Sequence, residues 1–345
     1  MSRGPKITVA GAGALGLTTA LALADAGAEV TVFDPGAPTG GASGVAAGML
    51  APAFEAVLDA YAAPHFDVLT AARDLWPALE ARAGLSVDRS GAVAVGDADF
   101  LSGVNLSLLA LGLHPTELER RTLDGLAPGL DPTLGRGLLV REDWRIEAQA
   151  ALIGLRKAAE AAGVRFQRAR ATGFEGGERL VIATGASRDL AVVAPELDLL
   201  APIKGHILRT TDQIYEGVVV RGPGAYVTGA PAGATVGATM QAGVDDLTIE
   251  PAEVARLQAA GARLFPALAT ASFTAQTGVR AATPDGLPLV GRGRHHGVLL
   301  ATGARRNGWL LAPLVARLIV ACVTEGEAGP YADRLSPGRF SQTAK

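Results

Sequence analysis

The chain has 345 residues, 49% of them hydrophobic and 19% charged, and this composition excludes an intrinsically disordered protein. The length corresponds to about two domains and is enough to bury a core without disulfides. A net charge of −3 argues against a polyanion-binding protein, so no nucleic-acid partner is expected. The single cysteine, Cys322, cannot form an internal disulfide, which favours a reducing, cytoplasmic compartment.

The N-terminal segment predicts one βαβ unit. Residues 7–10 indicate a strand, residues 17–26 an Ala/Leu-rich helix, and residues 29–33 a second strand that ends at Asp34. A signal peptide is the alternative for this apolar segment, but the βαβ pattern explains it better. Residues 36–48, rich in Gly, Ala, Pro and Ser, are expected to form a loop without secondary structure.

The rest of the chain predicts a β-rich middle between two α/β ends. Helices are expected over residues 58–83 (interrupted near Pro64), 100–112, 148–162, 251–264 and 309–322; strands over 91–95, 137–140, 164–166, 179–185, 206–210, 217–220, 226–228, 234–238 and 298–303; a loop over 123–130; and little more than a hairpin between 166 and 181. We therefore expect an α/β fold in which a Rossmann-like domain (residues 1–83, 141–200 and 279–345) is interleaved with an α+β domain built on an antiparallel sheet (84–140 and 201–278).

Neither a membrane span nor a metal site is expected. No stretch of 18 or more apolar residues is free of charge, and the five histidines show no metal-ligand spacing.

The strongest motif is GxGxxG at Gly11, Gly13 and Gly16, between the first strand and the first helix. These glycines permit a tight turn, let backbone amides approach a pyrophosphate and let the helix pack closely on the strand. The helix N-terminus stabilises phosphate charge. Asp34, at the end of the second strand, can accept hydrogen bonds from ribose hydroxyls. The pattern predicts a bound dinucleotide and disfavours NADP.

FAD and NAD share this fingerprint, and residues 42–50 (ASGVAAGML) favour FAD. These side chains are too small to fill space, which suits a loop where a large flat ring lies against backbone. A flexible surface loop would instead favour polar residues over Ala46, Ala47, Met49 and Leu50.

Several segments together resemble the D-amino acid oxidase-type FAD flavoproteins, and within that family most closely the glycine oxidases of thiazole (thiamine) biosynthesis. They are the N-terminal unit and residues 43–52 (SGVAAGMLAP), 202–206 (PIKGH), 279–292 (VRAATPDGLPLVGR) and 301–313 (ATGARRNGWLLAP). The resemblance implies non-covalent FAD in the Rossmann-like domain and a small amino acid in the α+β domain. It also implies oxidation of glycine, sarcosine or a D-amino acid to the imine by hydride transfer to flavin N5, with O2 forming H2O2.

The motif and the resemblance together indicate which residues would contact FAD. They are Gly11, Gly13, Ala14, Leu15, Gly16, Asp34, Pro35, Ala42, Ser43, Ala46, Ala47, Gly48, Met49, Ala171, Thr184, Gly185, Gly303, Arg306, Asn307, Gly308, Trp309 and Leu310. Asn307–Gly308 opens the last predicted helix, whose N-terminus would stabilise the negative charge of the reduced ring.

The resemblance also implies the substrate residues. Arg280 matches the family arginine that binds the substrate carboxylate. A guanidinium suits this task because it is planar, always charged and can donate two parallel hydrogen bonds to the two carboxylate oxygens. Tyr226 matches the tyrosine that donates its hydroxyl to the same group. Met240 matches an apolar lid residue, and Arg306 an arginine near both flavin and substrate. The alternatives are pairing of Arg280 with Asp285 and plain structural roles for Tyr226 and Met240.

Three positions depart from the family pattern and leave the substrate open. Ala281 stands where a proline is usual, and Ala304 and Arg305 where a histidine and an aromatic residue are frequent. Of Arg305 and its neighbour Arg306, one is expected to be a surface charge.

Other interpretations stay open at this point. The chain is also compatible with an NAD-dependent dehydrogenase, an FAD-dependent D-amino acid dehydrogenase with an acceptor other than O2, or a non-catalytic FAD-binding module. A homo-oligomer is left open too. Lys204 and His206 are interpreted as solvated strand-end residues and receive no chemical role.

Overall fold

A computed structural model describes residues 4–230 and 233–340 of the protein. The strands are β1 (Lys6–Ala10), β2 (Glu29–Phe33), β3 (Met49–Leu50), β4 (Val87–Asp88), β5 (Ala92–Val95), β6 (Thr116–Glu119), β7 (Arg136–Val140), β8 (Trp144–Ile146), β9 (Arg165–Gln167), β10 (Arg179–Ile182), β11 (Ala201–Thr210), β12 (Val219–Gly222), β13 (Ala225–Ala230), β14 (Gly233–Gly237), β15 (Gln241–Ala242), β16 (Thr274–Ala282), β17 (Leu289–Arg292) and β18 (Val298–Thr302). The α-helices are α1 (Ala14–Asp25), α2 (Gly41–Val45), α3 (Pro52–Leu58), α4 (Phe66–Asp74), α5 (Trp76–Ala83), α6 (Ala98–Ala110), α7 (Arg120–Leu126), α8 (Ala148–Ala161), α9 (Pro251–Ala262), α10 (Gly308–Thr324) and α11 (Ala332–Leu335). Short 3₁₀ turns cover Ala63–His65, Pro195–Leu199, Pro266–Ala269 and Pro337–Phe340.

The first large sheet has six strands in the order β17-β18-β10-β1-β2-β9. Five of them run parallel, and only the edge strand β17 is antiparallel to its neighbour. Val9, Val32 and Val181 are fully buried, as expected of a parallel sheet covered on both faces. Helix α1 joins β1 to β2 and packs into the same core as α10, so the predicted βαβ unit is confirmed.

The second large sheet is mainly antiparallel, in the order β15-β11-β14-β13-β12-β5-β7-β6, with β16 paired to β11. The pairing of β11 with β16 is the longest, from Ala201 opposite Ala282 to Arg209 opposite Thr274. A small sheet, β3-β8-β4, lies apart from both. The α/β class with one parallel and one antiparallel sheet is thus confirmed. The exact division into two domains stays a prediction, and β16 runs through its proposed boundary at residue 278.

Three local predictions were wrong. Residues 36–48 contain the short helix α2, which forms because Gly44 allows close packing: a Cβ on Gly44 would stand 1.7 Å from the carbonyl oxygen of Thr39. Helix α7 occupies part of the predicted loop 123–130, and its Leu123 is fully buried. No hairpin joins β9 to β10, because β9 pairs with β2 and β10 with β1.

Helices α6, α8, α9 and α10 match their predicted ranges to within a few residues. In the described ranges, no helix combines the length and apolar character that crossing a membrane requires.

Candidate active site

The turn between β1 and α1 brings backbone close to backbone. Gly11 has a φ of +107°, and a Cβ there would stand 2.3 Å from the carbonyl oxygen of Ala183. A Cβ on Gly16 would stand 2.0 Å from the carbonyl oxygen of Gly11. A Cβ on Gly13 would meet only the Ser43 side chain within 4 Å, with Oγ at 3.0 Å, so the helix N-terminus stays open to a ligand. The first amides of a helix lack intrahelical acceptors, and this end of α1 therefore suits a pyrophosphate.

Asp34 lies directly after β2, beside this turn. Its Oδ2 accepts a hydrogen bond from the Ala12 amide at 2.7 Å, and its Oδ1 accepts one from the Gly36 amide at 2.7 Å. Each carboxylate oxygen has a second lone pair. The side chain is therefore held in place and can still accept hydrogen bonds from ribose hydroxyls.

Ser43 connects the small-residue segment to two helices. Its Oγ accepts a hydrogen bond from the Ala14 amide at 3.0 Å, at the start of α1. Its carbonyl oxygen accepts one from Trp309 Nε1 at 3.0 Å, in the first turn of α10. Serine thus ties the segment 42–48 to both helix N-termini that would face a dinucleotide.

A cleft opens between this segment and the antiparallel sheet. It is lined by Ala42, Val45, Ala46, Ala47, Gly48, Met49, Glu55, Gly205, Ile207, Tyr226, Ala238, Met240, Gly278, Arg280, Arg306, Asn307 and Trp309. Eleven of these seventeen residues were predicted as site residues from the sequence; Val45, Glu55, Gly205, Ile207, Ala238 and Gly278 were not. The cleft therefore unites five segments that are far apart in the chain, residues 42–55, 205–207, 226–240, 278–280 and 306–309.

Arg280, on β16, presents a guanidinium to the cleft without a carboxylate partner among the described residues. Its Nη1 donates to the Thr239 carbonyl oxygen at 3.4 Å and lies 3.7 Å from Met240 Sδ. The alternative pairing with Asp285 was wrong, because Asp285 accepts hydrogen bonds from Arg339 at 2.7 and 3.0 Å. Burial lowers the pKa of Arg280 from its ordinary value, so an anion in the cleft would restore the lost solvation.

Tyr226, on β13, lines the cleft together with Arg280 and is 9% exposed. Burial raises the pKa of this phenol, which keeps it a neutral donor. No hydrogen bond joins the hydroxyl to another side chain or carbonyl in ranges 4–230 and 233–340. Met240 is 38% exposed at the cleft mouth and is not a core residue.

A chain of ion pairs closes one wall of the cleft. Glu55, on α3, accepts hydrogen bonds from Arg221 at 3.1 and 3.2 Å and lies 3.2 Å from Arg306 Nε. Arg306 reaches on to Asp59 at 3.5 Å, and Asp59 also binds Arg305. Burial favours a raised pKa for Glu55, but Arg306, Arg221 and Arg305 outweigh it and lower that pKa. The expectation that Arg305 or Arg306 is a surface charge was wrong, because both are paired and largely buried.

Asp143 holds the start of α3, the helix that carries Glu55. It is 1% exposed and accepts hydrogen bonds from the amides of Ala53 and Phe54 at 2.8 and 3.0 Å, in the first turn of α3. Burial raises the pKa of Asp143 to about 7, against the lowering effect of Arg221. The sequence did not indicate this residue, and its role in holding α3, and hence Glu55, follows only from the fold.

Lys204 and His206 were wrongly interpreted as solvated. Both are 0% exposed. Lys204 Nζ binds Asp246 at 2.7 Å and Glu250 at 2.9 Å. His206 Nε2 accepts a hydrogen bond from the Glu250 amide at 3.1 Å, so its Nδ1 is the protonated nitrogen and donates to Thr239 Oγ1 at 3.0 Å. The two residues stabilise the backbone on which Arg280 lies.

The remaining predicted cofactor residues lie outside the cleft. Pro35, Thr184, Gly185 and Gly303 follow the ends of β2, β10 and β18, Leu15 lies in the first turn of α1, and Gly308 begins α10. Ala171 is buried in the core beside Leu180 and Ile182, and the side chain of Leu310 is fully buried. The carboxyl ends of parallel strands are the usual place for a dinucleotide.

A βαβ unit with a dinucleotide-type glycine turn, next to a cleft on an antiparallel sheet, is typical of dinucleotide-dependent enzymes. Residues 6–322 match the family model described as FAD dependent oxidoreductase, so the chain belongs to that family. FAD is accordingly the cofactor that this membership assigns to the chain.

Within this family, the chain is similar to glycine oxidases and to bifunctional ThiO/ThiG proteins. The chain is 27% identical over 355 residues to glycine oxidase from Geobacillus kaustophilus, with 93% of each chain covered. The crystal structure of glycine oxidase from that organism superimposes with a TM-score of 0.82 and 25% identity, covering 98% of this chain and 99% of that one. This chain is also 29% identical over 373 residues to the bifunctional protein ThiO/ThiG from Trichormus variabilis. The alignment covers 98% of this chain but 55% of that protein. The chain thus spans about half the length of this relative.

Proposed function

We propose that the protein oxidises a small amino acid, such as glycine, sarcosine or a D-amino acid, to the corresponding imine, with O2 as electron acceptor and H2O2 as product. The observation that carries this proposal is the unpaired guanidinium of Arg280 beside the free hydroxyl of Tyr226, both facing the cleft. A carboxylate is the group that this pair of donors fits.

FAD fits the residues that lead to the cleft. The open end of α1 would hold the pyrophosphate, Asp34 would bind the ribose, and residues 42–49 would lie against the isoalloxazine ring. Asn307 and Trp309, which line the cleft at the start of α10, would place the helix dipole near the ring. When bound, FAD would accept the hydride that leaves the substrate Cα and would pass its two electrons on to O2. Nothing in this arrangement calls for a covalent bond to the flavin.

The side chains then have one task, which is orientation. Arg280 and Tyr226 would fix the substrate carboxylate, and the small residues on the opposite wall would hold the ring, so that the Cα–H bond faces it. Met240 would cover the cleft mouth. Arg306, held by Glu55 and Asp59, would keep positive charge near both partners. Amine oxidation needs no separate acid–base pair if the amine arrives neutral.

A panel of amines tests the proposal. The purified protein is assayed for H2O2 in air and for bleaching of the flavin absorbance without oxygen, with glycine, sarcosine and both enantiomers of alanine. Methylamine, which lacks the carboxylate, is the matched negative control. We expect bleaching by at least one of the amino acids and none by methylamine. A flavin that no amino acid reduces would contradict the proposal and favour the non-catalytic module.

The same experiment separates the oxidase from a dehydrogenase. If the flavin bleaches, no H2O2 forms in air, and an artificial quinone or dye reoxidises the flavin rapidly, the result would favour a dehydrogenase with an electron acceptor other than O2. If glycine is the best substrate, its imine product suits a thiazole-forming reaction, as the resemblance to ThiO-type enzymes implies.

A further inference from the structure

Arg209 is a half-buried arginine of the antiparallel sheet with contacts outside that sheet. It lies on β11, and its Nη2 reaches the carbonyl oxygens of Gly44, Val45 and Ala46 at 3.4, 3.1 and 3.1 Å. These three carbonyls belong to the small-residue segment, at the C-terminal end of α2. One guanidinium thus connects the sheet that carries Arg280 to the segment that lines the opposite wall of the cleft.

The guanidinium is itself held in position. Its Nε donates to Gln276 Oε1 at 3.0 Å, and its Nη1 donates to Thr235 Oγ1 at 3.1 Å. Gln276 and Thr235 lie on β16 and β14, two of the strands that pair with β11. All three nitrogen atoms of the group are therefore engaged, and little freedom remains for it to point elsewhere.

Helix α2 needs an external partner. It has only five residues, too few for an isolated helix to be stable. The last carbonyls of a helix lack intrahelical donors, and a cation at that end also matches the helix dipole. Arg209 satisfies both requirements. Gly278 adds a close contact from β16, because a Cβ there would stand 3.1 Å from Ala42 Cα.

We propose that Arg209 is a positioning residue for the cofactor, which holds residues 42–48 from the antiparallel sheet in the conformation that binds FAD. This inference rests on the proposed position of FAD along that segment. Ser43 Oγ, in the middle of the same short helix, accepts a hydrogen bond from the start of α1, so a loosened segment would disturb the pyrophosphate site as well as the ring site.

The test compares FAD affinity with the stability of the apoprotein. Arg209→Met keeps an unbranched side chain but removes all hydrogen-bond donors. Arg209→Lys keeps the charge but replaces the planar guanidinium by a single ammonium group. Arg120→Met is the matched control, because Arg120 also binds three backbone carbonyls, those of Leu130, Asp131 and Leu134 at 2.9, 2.6 and 3.3 Å. None of those carbonyls belongs to a residue that lines the cleft.

FAD is titrated into each apoprotein, and the dissociation constant is read from flavin fluorescence. We expect Arg209→Met to raise it about tenfold to a hundredfold, since hydrogen bonds from a charged donor are lost, and Arg209→Lys to raise it less. Arg120→Met should leave it unchanged, although the melting temperature of the apoprotein falls for both methionine variants. If Arg209→Met does not fold, the Arg209→Lys titration decides alone.

Wild-type affinity in the Arg209 variants, or an equal loss in Arg120→Met, would overturn the inference. Failure of the proposed function has a different signature, namely that the wild-type protein binds FAD but no amino acid reduces it.

Discussion

The guanidinium of Arg280 rests on the backbone of Gly205: a Cβ atom at residue 205 would stand 2.1 Å from Nη1 of Arg280. The atom in the way is the far end of a flexible side chain, so the arginine would move and the strand would not. A methyl group at this position therefore displaces the proposed carboxylate site at little cost to the fold.

Gly205→Ala should accordingly raise KM for the amino acid about tenfold or more, while FAD affinity and melting temperature stay near wild type. The matched control is Gly103→Ala in α6, where nothing lies within 4 Å of the new methyl group. Steady-state kinetics with the best substrate of the panel give the result. An unchanged KM in Gly205→Ala would mean that the carboxylate binds elsewhere.

Arg280→Met should raise KM by about two to three orders of magnitude, because the only unpaired cation of the described cleft is removed. The protein should remain yellow, since Arg280 makes no contact with the nucleotide-binding turn. Flavin content and KM are measured on the same preparation. Full affinity for the amino acid in this variant would exclude Arg280 as the carboxylate ligand.

Tyr226→Phe should have a smaller effect. Loss of one hydrogen bond from a neutral donor to a carboxylate corresponds to about a tenfold rise in KM with kcat nearly unchanged. The ring still packs on Gly237, where a Cβ would stand 2.1 Å from the hydroxyl, so the melting temperature should not fall. A large loss of kcat at constant KM would assign Tyr226 a role in the chemical step instead.

The ion-pair wall should be sensitive to loss of one charge. Glu55→Gln leaves Arg221, 3% exposed, without a full counter-charge, and the free energy of unfolding should fall by about 3 kcal/mol or more. Glu160→Gln removes a partner of Arg156 on the surface, where a pair contributes about 1 kcal/mol or less. Urea unfolding of both variants makes the comparison. Equal losses of stability in the two variants would contradict a buried pair between Glu55 and Arg221.

The raised pKa of Asp143 predicts that the free energy of unfolding depends on pH. Its pKa is about 7 in the folded protein against an ordinary 3.8, so the folded state binds a proton that the unfolded state releases between these values. The stability contributed by this group is complete below pH 3.8 and is lost as the pH rises toward 7, at about 1.4 kcal/mol per pKa unit. Asp143→Asn removes this loss.

The stability of Asp143→Asn relative to wild type should therefore improve as the pH rises from about 5 to about 8. Unfolding curves at several pH values measure the difference. A difference that does not change with pH would contradict a proton held by Asp143 in the folded state.

The short-range features of the site were predictable. The turn at residues 11–16 and the acid at Asp34 depend on a local alternation of strand, glycine turn and helix, which the sequence displays directly. Arg280 and Tyr226 were found through the resemblance, not through spacing. The structure brings both to the cleft, while their roles in substrate binding stay predictions until the variants are measured.

Other parts of the site could not be predicted, because each joins distant segments. Glu55 and Arg221 are separated by 166 positions, and Asp143 holds amides 89 and 90 positions away. The residues 36–48 looked like a loop since Gly, Ala and Ser favour no regular structure alone. Contacts from Arg209 and Gly278 supply the energy that makes part of this segment a helix.

The amino-acid sequence by itself determined the nucleotide-binding unit and the small-residue segment, because these rest on side-chain size and on patterns within one supersecondary unit. The class of flavoprotein came from the resemblance of several segments to a known family. Only the tertiary structure decided which charges are paired. Asp285 pairs with Arg339, Glu55 pairs with Arg221 and Arg306, and Arg280 has no carboxylate partner among the described residues. Ion pairs depend on which strands and helices become neighbours, and distance along the chain carries no information about that.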